Sequence, residues 1–217
     1  MFIKKYNNMK IGALITAAGM SVRMGDFKPL LPFKGKTVIE NTVETVLNTG
    51  SEHAVVVTGY RAEEIERVLE KTFGKRVIFA RNRDYAATDM LHSIRTGLKA
   101  LPECDMFFLL PGDMPAVKTE TLKTLIRRAE ADKDRIPEVI FPEFKGRRSH
   151  PPLISAKLLP EILSFEGEGG LRGLWRTHED GLVTVPVEDE GVGIDLDTPK
   201  DYDKLMNTKL ISYRRMG

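Results

Sequence analysis

Two cations, Arg23 and Lys28, stand in a stretch made largely of small side chains: Ala17, Ala18, Gly19, Ser21 and Gly25. Side chains this small let backbone N–H groups come close to a ligand, and successive amides in such a loop form an anion-binding concavity. Directly before it, Ile11 to Thr16 is apolar, with the length and neighbours of a buried strand. A strand, a small-residue turn and two cations together suit a nucleoside triphosphate. The two best-known glycine loops are absent. No G-x-x-x-x-G-K-[ST] occurs, and no G-x-G-x-x-G precedes an acidic residue about 20 positions on, so neither an ATPase P-loop nor a dinucleotide fingerprint is present.

Phosphate chemistry also needs carboxylates, because Mg²⁺ commonly takes one or two of them together with substrate phosphates. Asp113 follows the apolar run FFLLPG, which places it at the tip of a buried strand. A turn-forming Asp beside Gly112 and Pro115 is the plainer reading of the tetrapeptide taken alone. Near the end, GIDLDTPKDY offers Asp195 and Asp197, which strand alternation would put on one face. The spacing does not choose between these two as the second metal ligand. Asp195 is preferred, and a helix cap is the alternative role for one of the pair.

These residues need a frame, and the hydrophobic patterning describes one. Helical periods run over Thr37 to Leu47, Ala62 to Glu70, Asp89 to Leu101 and Thr119 to Ala131. Between them lie strand-like runs at His53 to Gly59, Val77 to Ala80 and Asp105 to Leu110. The alternation predicts a single-domain α/β fold over residues 1–217, with a doubly wound, mostly parallel sheet. Beyond residue 131 the order loosens. A strand near Glu138 to Phe141 leads into the polar connection FKGRRSHPPLI, then come short helices at Ala156 to Leu163 and Leu171 to His178, a strand at Leu182 to Val187, and a last helix starting at Pro199. Residues 1–8 read as a loose leader and 208–217 as a frayed tail. In such sheets ligands bind outside the carboxyl ends of the strands, so the loop, Thr58-Gly59 and Gly112-Asp113 point to the same edge.

The stretch AAGMSVRMGDFKPLLP resembles the signature of the MobA-like nucleotidyltransferases, most closely the molybdenum cofactor cytidylyltransferases. Ala17, Ala18, Gly19, Ser21, Arg23, Met24, Gly25 and Lys28 fill the pattern A-A-G-x-S-x-R-M-G with its following lysine. The resemblance implies a Rossmann-like fold, a loop that wraps the triphosphate, and charge neutralisation by Arg23 and Lys28. It also makes Asp113, in GDMP, a ligand of Mg²⁺. Ala18, where other members carry glycine, implies CTP rather than GTP. NRDYAATDMLHSIRTG resembles the segment near base and ribose, implying roles for Asn82 and Ser93, although Arg83, Tyr85 and Asp89 depart from the pattern.

GRRSHPPLI and GEGGLRGL resemble the family's acceptor segments, so Arg147, Arg148, His150 and Arg172 would face a phosphorylated acceptor. Arginine suits this because its planar fork binds phosphate through two hydrogen bonds. The implied acceptor is molybdopterin, with a molybdoenzyme as recipient of the product. The same transfer to a sugar or alcohol phosphate, and a non-catalytic nucleotide-binding or cofactor-delivery module, are the alternatives.

Composition narrows the partners. The net charge of +2, from 33 basic and 31 acidic residues, provides no general field for nucleic acid. No apolar run approaches the ~18 residues of a membrane span. One cysteine, Cys104, excludes an internal disulfide and fits a reducing compartment, so a cytoplasmic location is expected. Cys104 itself reads as a packed small side chain rather than an activated thiol.

Overall fold

The computed structural model describes residues 9–131 and 136–214, with residues 208–214 described as backbone alone. The expected leader lies outside the described residues.

The chain runs β1 (Ile11–Ala17), β2 (Pro32–Phe33), β3 (Lys36–Thr37), α1 (Val38–Leu47), β4 (Ala54–Thr58), α2 (Ala62–Phe73), β5 (Val77–Arg81), α3 (Met90–Leu98) and β6 (Met106–Pro111). It continues through α4 (Thr119–Ala131), β7 (Val139–Phe144), β8 (Arg147–Arg148), β9 (Leu153–Ser155), α5 (Leu159–Ser164), α6 (Leu171–Thr177), β10 (Leu182–Pro186) and α7 (Pro199–Arg214). The main sheet has the order β10-β7-β9-β6-β1-β4-β5, with β8 paired to β7. The β10–β7, β6–β1, β1–β4 and β4–β5 pairs are parallel, whereas β9 runs antiparallel to both of its neighbours. The α/β expectation holds, with mixed rather than uniform strand direction.

Both faces of the sheet are covered, which is why β1, β4 and β6 are apolar without alternation. Ile15 and Val56 face one core, which Ile39 of α1, Ile65 of α2 and Leu122 of α4 complete. Leu14, Val55 and Val57 face the other, closed by Leu91 and Ile94 of α3, Ile162 of α5 and Leu174 of α6. A valine buried as fully as these contributes about 1.5–3 kcal/mol. Local signals set the helix starts. Thr37 and Glu40 form a reciprocal capping box at α1, and the Asp89 carboxylate caps α3 by accepting from the His92 N–H.

Three features differ from the sequence expectation. The polar connection after β7 contains β8 and β9; strands of two and three residues are too short for a period to show. Ile194 to Asp197 belongs to no helix or strand and pairs with no strand among the described residues. Leu196 packs with Phe33, Val38 and Leu205 in a small separate core, and this leaves Asp195 and Asp197 on the outer side of the segment. Finally, the helix that begins at Pro199 runs to Arg214 and takes in residues 208–214 of the expected tail, whose residues 215–217 lie outside the described residues.

Candidate active site

Two short turns, Val22–Met24 and Lys28–Leu30, fold the loop after β1 into its shape. Ser21 and Gly25 both take positive φ, 54° and 76°, on either side of a single turn at Val22–Met24. Met24 and Phe27 are buried and anchor the loop from below, Phe27 meeting the Tyr60 ring edge-on at 5.5 Å. The Ser21 hydroxyl accepts the Lys28 backbone N–H at 3.3 Å, so its side chain serves the loop's own closure. At the neighbouring strand end, a Cβ on Gly112 would lie 2.9 Å from Ile39 Cδ1 and 3.1 Å from Ala17 Cβ. Glycine there lets β6 end close beside β1 and carries Asp113 to the mouth of the loop. The Thr42 hydroxyl of α1 holds this corner by donating to the Gly112 carbonyl at 3.2 Å.

Four charged side chains converge at this mouth. Lys28 Nζ lies 2.9 Å from Asp197 Oδ1 and 3.3 Å from Asp113 Oδ2. Arg23 Nη2 reaches the same Asp197 oxygen at 3.0 Å. The Lys28 side chain is 10% exposed and the Arg23 guanidinium arm 72%, so one cation is built in and the other reaches from solvent. The hydrogen bond from Lys28, assisted by the charges of Lys28 and Arg23, outweighs partial burial and holds the Asp197 carboxyl below the usual range. Asp113 is pushed the other way. Burial dominates, the Asp195 charge adds to it, and Lys28 offsets it only in part. Asp195 therefore stands near enough to be felt by Asp113 without forming the cation contacts of Asp197. The helix cap is neither of them: Thr198 and Asp201 make the capping box of α7, with Asp201 Oδ2 accepting from the Thr198 hydroxyl at 2.6 Å.

A cavity of about 410 Å³ opens here, lined by Ala17, Gly19, Ser21, Arg23, Lys28, Gly112, Asp113 and Asp197. A larger one of about 820 Å³ adjoins it. Thr16, Met90 and Pro111 line both, so they are two halves of one cleft. The cleft lies over the carboxyl ends of β1 and β6, where the chain reverses its direction of travel across the sheet. Arg148, His150 and Arg172 line the larger half together with Asp89, Leu109, Phe141 and Trp175. The Arg148 guanidinium sits 5.7 Å from the Phe141 ring centroid, and Phe141 meets Trp175 edge-on at 6.4 Å. His150 faces Asp195 and Arg172. Desolvation, with the Arg172 charge, lowers its pKa against the pull of Asp195.

Several residues singled out from the sequence lie elsewhere. Thr58 is fully buried and donates to Glu66 Oε1 at 2.8 Å. Gly59 packs against Ala18, where a Cβ would come within 2.9 Å of the Ala18 methyl, and borders a separate polar cleft with Arg61 and Arg81. Asn82 and Ser93 are buried and bonded to each other at 3.0 Å, and Asn82 also binds Thr88 and the Asp84 N–H. Their polar side-chain groups shape the segment before α3 rather than line the cleft. Arg147 is exposed on β8, outside both halves. Phe141 and Trp175 were not among the sequence candidates. The signal for Trp175 was its place as the single tryptophan, one turn beyond Arg172 on the same face of a helix. Cys104 is half-buried and its thiol is pushed up to about 11 by burial, which fits a packing role.

Among the described residues no cluster of three or more His, Cys, Asp and Glu is placed to hold a metal. The two carboxylates aimed at one cationic atom, Asp113 and Asp197, nonetheless fit a hard divalent cation whose remaining ligands are phosphates and water.

An α/β sheet with a small-residue loop, paired cations and paired carboxylates at its switch point defines a nucleotidyltransferase. Residues 13–182 match the family model described as the MobA-like NTP transferase domain, and the chain belongs to that family. It is 28% identical to the molybdenum cofactor cytidylyltransferase of Escherichia coli, over 88% of this chain and 93% of that protein. It is equally identical, 28%, to the purine catabolism protein PucB of Bacillus subtilis, over 86% of this chain and 91% of that protein. A solved structure of a nucleotidyl transferase from Methanothermobacter thermautotroptrophicus is 30% identical, with a TM-score of 0.75, and the match covers 93% of this chain and 99% of the other.

Proposed function

We propose that the chain transfers a cytidylyl group from CTP to a phosphorylated acceptor, most specifically molybdenum-loaded molybdopterin, and releases pyrophosphate. The observation that carries this reading is the continuity of the cleft: a cation–carboxylate mouth at one end, an arginine- and aromatic-lined chamber at the other. The triphosphate would lie along the loop at Ala17, Gly19 and Ser21, with Arg23 and Lys28 on its phosphates. Acceptor phosphate held by Arg148 and Arg172 would then face the α-phosphorus across Thr16 and Met90. An acceptor oxygen forms the new P–O bond as the bond to pyrophosphate breaks, and the chain's contribution is positioning and screening of charge. Bound at Asp113 and Asp197, Mg²⁺ would supply further neutralisation of the phosphates.

The cytidine assignment rests on Ala18, and the pterin on the likeness to the cytidylyltransferase relative. His150, which lines the larger half with Arg172, can hydrogen-bond the acceptor phosphate. The equal likeness to a protein of purine catabolism favours one alternative, the same transfer to another acceptor. The product would pass to a molybdoenzyme. No helix among the described residues is long and apolar enough to cross a membrane.

Pyrophosphate release measured with Mg²⁺, with CTP or GTP, and with or without the loaded pterin tests all of this. Release that needs CTP and pterin together is the expected result. Release with GTP alone overturns the base assignment, and CTP binding with release only on a different acceptor overturns the pterin. CTP binding with no release on any acceptor makes the chain a nucleotide-binding module.

A further inference from the structure

Lys28 is placed oddly for a residue whose whole task is to touch phosphate. Its stem is packed, its ammonium is turned toward two carboxylates, and both carboxylates aim a single oxygen at it: Asp197 Oδ1 at 2.9 Å and Asp113 Oδ2 at 3.3 Å. We propose that the Lys28 ammonium is a tethered counter-cation for this carboxylate pair, competing with the divalent cation for it and moving to the nucleotide phosphates when metal and nucleotide arrive together. This rests on the metal-dependent transfer reading above and adds an order to it.

Charge and room decide the exchange. A hard dication bound by Asp113 and Asp197 would lie within about 2.0–2.6 Å of their oxygens, on the side where the ammonium now stands. The two cations cannot share that place. A dication arriving alone must therefore eject an ammonium whose side chain is 10% exposed, and a cation so little hydrated needs a new anionic partner. The triphosphate provides one, because the loop that carries Lys28 also lines the half of the cleft that holds the two carboxylates. Metal without nucleotide is disfavoured, and metal with nucleotide is favoured. Arg23 shares the Asp197 oxygen at 3.0 Å, so when Lys28 departs the carboxylate keeps one cationic contact while it turns to the metal. Lysine suits this exchange better than arginine, being a compact point charge on a flexible stem.

If the ammonium occupies the pair nine-tenths of the time or more, the apparent metal affinity is weakened by about tenfold or more, in proportion to the fraction of protein competent to bind. The test is Mn²⁺ binding to the full chain, read from the electron paramagnetic resonance signal of free Mn²⁺, with and without CTP. Lys28→Met should bind Mn²⁺ at least about tenfold tighter than wild type in the absence of CTP, and Lys28→Gln should shift the same way. Asp197→Asn should bind it more weakly. With CTP present, the gap between wild type and Lys28→Met should close, because in wild type the lysine has by then moved. Thermal unfolding of both Lys28 variants checks that they are folded, and either one suffices.

Mn²⁺ binding by folded Lys28→Met or Lys28→Gln no tighter than by wild type overturns the exchange, and so does a gap that persists undiminished with CTP. Wild-type pyrophosphate release in the same preparations separates the two levels of inference. Release without the Lys28 effect removes the exchange and leaves the transfer reading. Neither Mn²⁺ binding nor release by wild type, with or without CTP, removes both.

Discussion

His178 Nδ1 lies 2.7 Å from Glu138 Oε2, at the point where the end of α6 meets the start of β7. The other ring nitrogen lies 2.9 Å from Glu161 Oε2 on α5, so one imidazole links three elements. Burial works against a charged ring, but hydrogen bonds to Glu161 and Glu138 and their charges outweigh it and raise the His178 pKa above 6.5. A raised histidine pKa contributes stability that is fully present below the unfolded value and is lost as pH rises through the folded one. Wild type should therefore exceed His178→Ala in urea-unfolding stability by about 1–3 kcal/mol at pH 6, and by clearly less at pH 9. A difference that does not change with pH would show that the charge on the ring contributes nothing.

Lys28→Ala and Asp113→Ala each remove one member of a preorganised charged cluster at the cleft mouth. Turnover should fall by about 10²–10³, or about 3–4 kcal/mol, as for other lost charge-stabilising contacts. Both side chains lie at the cleft edge of the core, so thermal unfolding should stay cooperative for each. Pyrophosphate release and a melting curve on the same sample check this; loss of the folded state would make the two residues structural.

Gly97 is a packing position that the site depends on. It sits in α3 where that helix crosses β1 and β4, and a Cβ there would come within 2.2 Å of Leu14 Cδ1 and 2.5 Å of Val57 Cγ2. Gly97→Ala should cost about 1–3 kcal/mol by overpacking, despite the better helix propensity of alanine. Because α3 carries Asp89 and Met90 into the cleft, nucleotide affinity should drop as well. Urea unfolding and CTP titration read the two effects separately.

The contrast between well-read and poorly read parts of this chain has a physical basis. Strands β1, β4 and β6 are buried on both faces, so their apolar runs stand out, and the loop between β1 and β2 shows its purpose through small residues and cations close in sequence. Lys28 and Asp197, by contrast, are separated by 169 positions, and nothing local in GIDLDTP says which carboxylate turns toward the loop. Packing of Leu196 against Phe33 and Val38 turns both carboxylates outward, and only the tertiary contacts of Asp197 with Lys28 and Arg23 single it out. Asn82 and Ser93 show the opposite case. Their types suit ligand binding, but Asn82 Nδ2 lies 3.0 Å from Ser93 Oγ, so each meets the other before any ligand. The chamber wall was the least legible, because β9 is three residues long and Phe141 reads as an ordinary strand residue until Trp175 closes on it.

That chamber yields a last prediction, about which substrate each half of the cleft holds. Arg148 and Arg172 reach the larger half from different elements, β8 and the first turn of α6, and both are exposed, so truncation should leave stability within ordinary surface limits. Neither lines the smaller half, where Arg23 and Lys28 stand. Arg148→Ala and Arg172→Ala should therefore raise the KM for the acceptor by about 10–100-fold, the value of one charge-assisted phosphate contact of about 1.5–3 kcal/mol. The KM for CTP should stay close to that of wild type. The double variant should lose more than either single one, unless both arginines grip the same phosphate oxygens, in which case the losses would not add. Steady-state kinetics varying CTP and acceptor independently measure this split. An equal rise in both constants would mean that the two halves of the cleft do not divide the substrates between them.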